Sequence, residues 1–124
     1  MRQTMLLLIL SCCFSLLSFA ADISPITSAV QKGNAAALAK LLDAKADVSV
    51  SSETATDNAA KAQTLLQTFF SQNKPSSLKV LHHSDGENAG FFVGKLQTAK
   101  GEFRINIDYR SKGKTITIQS IRIE

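Results

Sequence analysis

The chain has 124 residues, 44% of them hydrophobic and 19% charged, with a formal net charge of +4 and two cysteines. That length suits one small domain. Its bases are dispersed apart from Arg110, Lys112 and Lys114 at a predicted turn, which excludes the clustered stripe of a nucleic-acid binder, so no nucleic-acid partner is expected.

The N-terminus reads as an export signal rather than as fold. Arg2 gives a short positive start, residues 5–19 form an almost unbroken apolar run, and Ser18-Phe19-Ala20 places small residues where a signal peptidase reads. The run is too short for a membrane span. Cleavage is placed after Ala20, with Ala21 as the alternative, so residues 1–20 are a signal peptide and 21–124 a single domain that is periplasmic or secreted. Cys12 and Cys13 lie inside the run. A lipid anchor on either one is disfavoured, because Phe14-Ser15-Leu16-Leu17 stays apolar where an anchored N-terminus would open into a polar tether. The processed chain then carries no cysteine, no transmembrane span and a net charge of +3, and it must stand on its own core.

Ser24-Pro25 predicts a helix start, with Ser24 as N-cap and Pro25 at the first helical position. Ile26, Ala29 and Val30 share a face, and Gly33 is a left-handed stop. Asn34 caps a second helix with Ala35, Leu38, Leu41 and Leu42 on one side. Residues 47–50 alternate briefly and predict a short edge strand, and residues 51–57 read as the least ordered stretch. Thr56 or Asp57 then caps a third helix, whose apolar stripe is Ala62, Leu65, Leu66, Phe69 and Phe70.

Four strands are predicted after Pro75, at residues 77–84, 90–99, 102–110 and 114–124, joined by short turns into an antiparallel meander. The third strand organises the others. Phe103, Ile105, Ile107 and Tyr109 alternate with Arg104, Asn106, Asp108 and Arg110, giving one dry face and one wet face. In the fourth, Ile116 and Ile118 share a parity that Ile121 and Ile123 break, which predicts a β-bulge near Gln119-Ser120, the alternative being a strand end buried on both sides. The expected layout is α+β: three N-terminal helices packed on a curved four-stranded antiparallel meander, a cone with a mouth.

Several runs carry a resemblance: Gly33-Asn34-Ala35, Phe69-Phe70-Ser71-Gln72-Asn73-Lys74-Pro75, His82-His83, Gly90-Phe91-Phe92-Val93-Gly94-Lys95-Leu96, Gly101-Glu102-Phe103-Arg104-Ile105-Asn106, and Ile118-Gln119-Ser120-Ile121-Arg122-Ile123-Glu124. Over essentially all of residues 21–124 the chain resembles a family of small exported proteins of unknown function from Bacteroidetes-type bacteria. That family is similar to the nuclear-transport-factor-two-like, or cystatin-like, superfamily of α+β cones. The superfamily includes ketosteroid isomerase, dehydratases and dimeric binding modules, so the resemblance implies a fold and leaves the function open. Its enzymes keep an acid–base group inside the cone.

Candidate residues follow from the strand pattern. Adjacent strand residues point to opposite faces, so His82 and His83 cannot both ligate one metal, and no metal or cofactor is expected. Parity groups Leu78, Val80 and His82 on one face, and Lys79, Leu81 and His83 on the other. His82, Ser84 and Asp85 hold the residue types of a hydrolytic triad but lie along one run, and triads converge in space. Tyr109, the only tyrosine, and one of His82 and His83 are the candidates for acid–base work at the mouth. Phe69, Phe70, His82, Phe103, Ile105, Ile107 and Tyr109 are the candidate pocket lining. Arg104, Asn106, Asp108 and Arg110 are candidate interface residues for a homodimer through the outer sheet face. The leading expectation is a non-catalytic exported module that binds a small apolar ligand or an envelope protein. The alternatives are an isomerase- or dehydratase-like enzyme and a dimeric assembly protein.

Overall fold

The computed structural model describes residues 23–113 and 115–124, so the signal segment with Cys12 and Cys13, and Lys114 at the start of the last predicted strand, lie outside the described residues. The order is α1 (Ser24–Lys32), α2 (Ala35–Leu41), β1 (Leu42–Val50), β2 (Glu53–Thr56), α3 (Ala59–Gln72), β3 (Pro75–Asp85), β4 (Ala89–Thr98), β5 (Gly101–Lys112) and β6 (Thr115–Ile123).

Each helix starts and stops for a local reason. In α1 the carbonyl of Ile23 accepts from the amides of Ile26 and Thr27, both at 3.0 Å, so Ser24 lies inside the first turn and Ile23 is the cap, one residue earlier than predicted. Gly33 closes α1 at φ 63°, and the amides of Gly33 and Asn34 return to Val30 and Ala29. A Cβ there would come within 3.1 Å of Pro75 Cδ and 3.3 Å of Phe70 Cβ, so the bend also lets α1 approach the end of α3. Asn34 Oδ1 accepts from the Ala37 amide at 3.1 Å, as the sequence predicts. For α3 the cap is Asn58, whose Oδ1 accepts from Lys61 N at 3.0 Å, rather than Thr56 or Asp57.

The sheet has six strands, not four, in the order β2-β1-β6-β5-β4-β3. The four predicted strands form the expected antiparallel meander. What the sequence reading lacked is β2 and the length and interior place of β1. The segment predicted as an edge strand at 47–50 runs from Leu42 and is interior, parallel to β6 on one side and antiparallel to β2 on the other. The stretch predicted as least ordered is the turn at Ser51-Ser52 and the true edge strand β2. Small side chains explain the difference: Ala46, Val48 and Ala55 fill the dry side without a strong apolar signature.

The predicted bulge is present. The β5–β6 register passes from Asp108↔Ser120 to Tyr109↔Ile118, leaving Gln119 as the extra residue. Ile118, Ile121 and Ile123 are therefore all buried on one side. They meet Ile26, Val30, Leu38, Leu66, Phe69 and Phe70 from the helices in one continuous core. Burial of each large apolar side chain contributes about 1.5–3 kcal/mol.

Candidate functional site

A second bulge decides where the histidines go. In β3, Val80 faces Gly94 and His82 faces Val93, so Leu81 is the extra residue. Beyond it the parity reverses. His82 lies on the outer side beside Phe91, ring centroids 5.6 Å apart, rather than with Leu78 and Val80. It is His83 that shares a side with Asp85 and, through Gly90, with Tyr109. The pairing of His82 with Leu78 and Val80 is thus corrected by one bulged residue.

At this end of the sheet the Tyr109 hydroxyl donates to Asp85 Oδ1, and His83 Nδ1 stands 3.4 Å from Asp85 Oδ2. Tyr109 is 1% exposed. Burial first, and then the hydrogen bond and negative charge of Asp85, push the phenol well above its ordinary pKa. Gly90 makes the contact sterically accessible, since a Cβ there would lie 2.6 Å from Tyr109 Cζ and from its hydroxyl oxygen. The chain Tyr109–Asp85–His83 ties the β3–β4 hairpin to the core strand β5. Acid–base chemistry of the isomerase type would draw on Tyr109 and His83, and its substrate would compete for a hydroxyl already given to Asp85.

Of the candidate pocket residues, Ile105, Ile107 and Tyr109 are packed into the core, while Phe69 and Phe103 border a concavity of about 310 Å3 and Phe70 one of about 340 Å3. Ile105 and Ile107 are 0% exposed, and Phe69 and Phe70 are 5% exposed. Phe69 meets Phe70 edge-on at 5.4 Å and Phe103 edge-on at 4.9 Å. Of the named lining, only His82 stands apart, on the other side of the sheet.

The outer side is different. Register sets Asp47, Ser120, Asp108 and Phe91 in one row across four strands, and Ser49, Arg122, Asn106 and Val93 in the next. A concavity of about 580 Å3 opens here, lined by both apolar Phe91 and Val93 and charged Asp47, Asp108 and Arg122. Ser120 Oγ donates to Asp108 Oδ2 at 2.9 Å. Asn106 Oδ1, with less than 1 Å2 exposed, has no hydrogen-bond partner, an arrangement that costs about 1–3 kcal/mol. Lys95 Nζ lies 3.5 Å from Glu102, and Arg122 Nε 3.9 Å from Glu124. Sequence reasoning singled out Arg104, Asn106, Asp108 and Arg110 on this side but missed Asp47, Phe91, Val93 and Arg122. The parity of Phe91 and Val93 against Phe92 could have found two of them. In a separate concavity, shared with Arg110 and Thr117, Asp43 accepts from the Lys45 amide and from Gln119 Nε2, and these two bonds hold its carboxyl below the ordinary range.

Among the described residues no three His, Cys, Asp or Glu side chains converge to hold a metal, and no helix is long and apolar enough to cross a membrane.

A search of curated proteins gives no match. Solved structures do match. A DUF4783 family protein from Bacteroides uniformis is 31% identical with a TM-score of 0.74, covering 82% of this chain and 94% of that one. One from Bacteroides fragilis is 32% identical with a TM-score of 0.71, covering 80% and 93%. An NTF2-like protein of unknown function from Silicibacter pomeroyi, 12% identical with a TM-score of 0.60 over 82% and 87%, shares the fold alone. Residues 23–124 match the family described as a domain of unknown function, DUF4783. This α+β chain with its curved six-stranded sheet and NTF2-like neighbours belongs to the DUF4783 family.

Proposed function

We propose that this protein is an exported, non-catalytic interaction module that works through the outer face of its sheet rather than through the interior of the cone. The observation that carries this reading is the contrast across one sheet. The dry row Ile105, Ile107 and Tyr109 is committed to the core. The concavity of about 580 Å3 and the unpartnered Asn106 carbonyl oxygen are both on the opposite side. Binding surfaces combine apolar patches with convergent polar groups, and Phe91 and Val93 beside Asp108 and Arg122 supply that mixture. Export rests on the Arg2 charge, the apolar run 5–19 and the Ser18-Phe19-Ala20 pattern.

Two measurements test it. Expression of the full chain followed by fractionation and mass determination should find a processed N-terminus at Ala21 or Asp22 outside the cytoplasm. An unprocessed cytoplasmic chain overturns the export half. Titration of the isotope-labelled processed chain with anilinonaphthalene sulfonate, as an apolar probe, should move the amide resonances of Phe91, Val93 and Asn106. Shifts confined to Phe69, Ile105 and Tyr109 would place the binding site in the cone and overturn the outer-face half.

A further inference from the structure

The bases around Arg110 and Lys112 fall at the end of β5, next to a place where two irregular strands meet. On β6 the extra residue is Gln119. On β1 the register jumps from Leu42↔Ile118 to Asp47↔Ser120, so residues 43–46 are inserted opposite it. A bulge re-aims the side chains it inserts. Here the two insertions meet, with Gln119 Nε2 donating to Asp43 Oδ2 at 3.1 Å, in a concavity of about 340 Å3. Arg110 and Lys112, two residues apart on one side of β5, bring positive charge to it. Thr117 lies opposite Arg110 on β6. Asn88, just before β4, is fixed there because its carbonyl accepts from the Ser111 amide at 3.0 Å. Every residue lining this concavity is polar or charged.

The charges in it are unbalanced. The ion pairs among the described residues are His83–Asp85, Lys95–Glu102 and Arg122–Glu124, so neither Arg110 nor Lys112 has a carboxylate at pairing distance. Asp43 is near enough for the Arg110 charge to act on it, yet its oxygens are bonded to the Lys45 amide and to Gln119. Two cations without an anion, beside hydroxyl and amide donors, suit an oxyanion. One guanidinium satisfies a planar carboxylate, whereas a tetrahedral group has oxygens left for Lys112, Thr117 and Asn88.

We propose that this concavity binds the phosphate group of a small phosphorylated ligand. Asp43 selects phosphate over sulfate. Near neutral pH sulfate carries no proton, whereas inorganic phosphate and the monoanion of a phosphate monoester keep one, and that P–OH donates to a carboxylate oxygen. Asp43 is held ionised, and each of its oxygens keeps a lone pair beyond the bond it already accepts. A phosphodiester has no proton to give and is disfavoured. Phosphate fills only part of the space, so the group esterified to it shares the same polar lining. The site has no residue in common with the concavity beside Asp108, so it stands whether or not that surface takes an apolar partner.

Titration of the isotope-labelled processed chain with inorganic phosphate, near neutral pH and at constant ionic strength, tests the proposal. The amides of Arg110, Thr117 and Gln119 should move with a Kd of about 1 mM or tighter. Sulfate should bind about tenfold more weakly, having no proton for Asp43. Arg110→Gln and Lys112→Gln should each weaken phosphate binding on the order of tenfold. Circular dichroism should remain that of the wild type, since both positions are exposed. Asp43→Asn should bind sulfate as well as phosphate, a change of selectivity that loss of fold cannot imitate. Co-sedimentation with phosphatidylcholine vesicles, with and without phosphatidic acid, separates the two sources of the group. Association that needs phosphatidic acid and is lost in Arg110→Gln assigns a lipid headgroup, whereas phosphate shifts without vesicle association assign a soluble ligand. No shift at about 10 mM phosphate overturns the site, and so do shifts centred on Phe91 and Val93. Equal binding of sulfate and phosphate by the wild type overturns the selection by Asp43.

Discussion

The two faces of β5 are built from the same nine positions and face opposite fates. On one side Ile105, Ile107 and Tyr109 are sealed against α3 and β6. On the other Arg104, Asp108 and Arg110 are exposed around an amide with no hydrogen-bond partner for its oxygen. The inner face is satisfied in the single chain, whereas the outer face is electrostatically organised without being satisfied. Alternation alone assigns the faces. What sets the two faces apart is whether each polar or apolar group has found its partner within the chain.

That contrast depends most on the bulge at Gln119. Deleting Gln119 removes the residue that returns Ile121 and Ile123 to the core side after Ile118. Either half of β6 would then have to turn its isoleucines outward. Two displaced isoleucines at about 1.5–3 kcal/mol each approach the whole stability of a domain this size. The expected outcome is a chain that no longer shows a cooperative urea transition, and a transition close to that of the wild type would show that β6 can re-register.

A smaller and more local comparison uses neighbours. Ile107→Ala removes a fully buried side chain and should cost about 2–5 kcal/mol in urea unfolding. Asp108→Ala, one residue along and on the other face, loses only the bond from Ser120 Oγ and should cost no more than about 1 kcal/mol. Equal costs would dissolve the distinction between the faces.

How much of this was legible in the sequence depended on whether a phase was written in unambiguous residues. The α3 stripe, the meander and the β6 bulge were readable because large apolar residues mark most inward positions, so a slip of one residue is visible in the isoleucine spacing of β6. The β3 bulge was not, because Val80 and Leu81 are adjacent and apolar and neither parity is excluded, so His82 and His83 exchanged sides unseen. The length and interior place of β1 were hidden for another reason. Its inward residues include small Ala46, and its partner β6 lies at the far end of the chain, as the Gln119–Asp43 hydrogen bond across 76 positions illustrates. Local pattern does not report a pairing that distant. At the candidate site, Tyr109 was found as the lone tyrosine, but Asp85 was weighed only with His82 and Ser84 along one run and not as the partner of Tyr109.

Tyr109 gives the finest comparison, since it is the one inward aromatic side chain of β5 with a polar tip. Its folded pKa is raised above the ordinary phenol value of 10.0 by burial and by Asp85. A group whose pKa is raised on folding contributes its full stability below the unfolded pKa and loses it as pH rises toward the folded value. Stability should therefore be flat in this respect below pH 10 and then fall by about 1.4 kcal/mol per pH unit, as the unfolded chain ionises and the folded chain does not. Because there is a single tyrosine, phenolate absorbance reports this one group, and it should appear only together with unfolding. Tyr109→Phe should remove that alkaline loss. At neutral pH it should cost about 1–2 kcal/mol, because Asp85 Oδ1 loses its donor while the ring stays packed. Phenolate forming in the native protein near pH 10 would mean that the hydroxyl is solvated and the hairpin is not tied to β5. The inner face would then be open at this end, and the cone mouth would return as the place to look for a ligand.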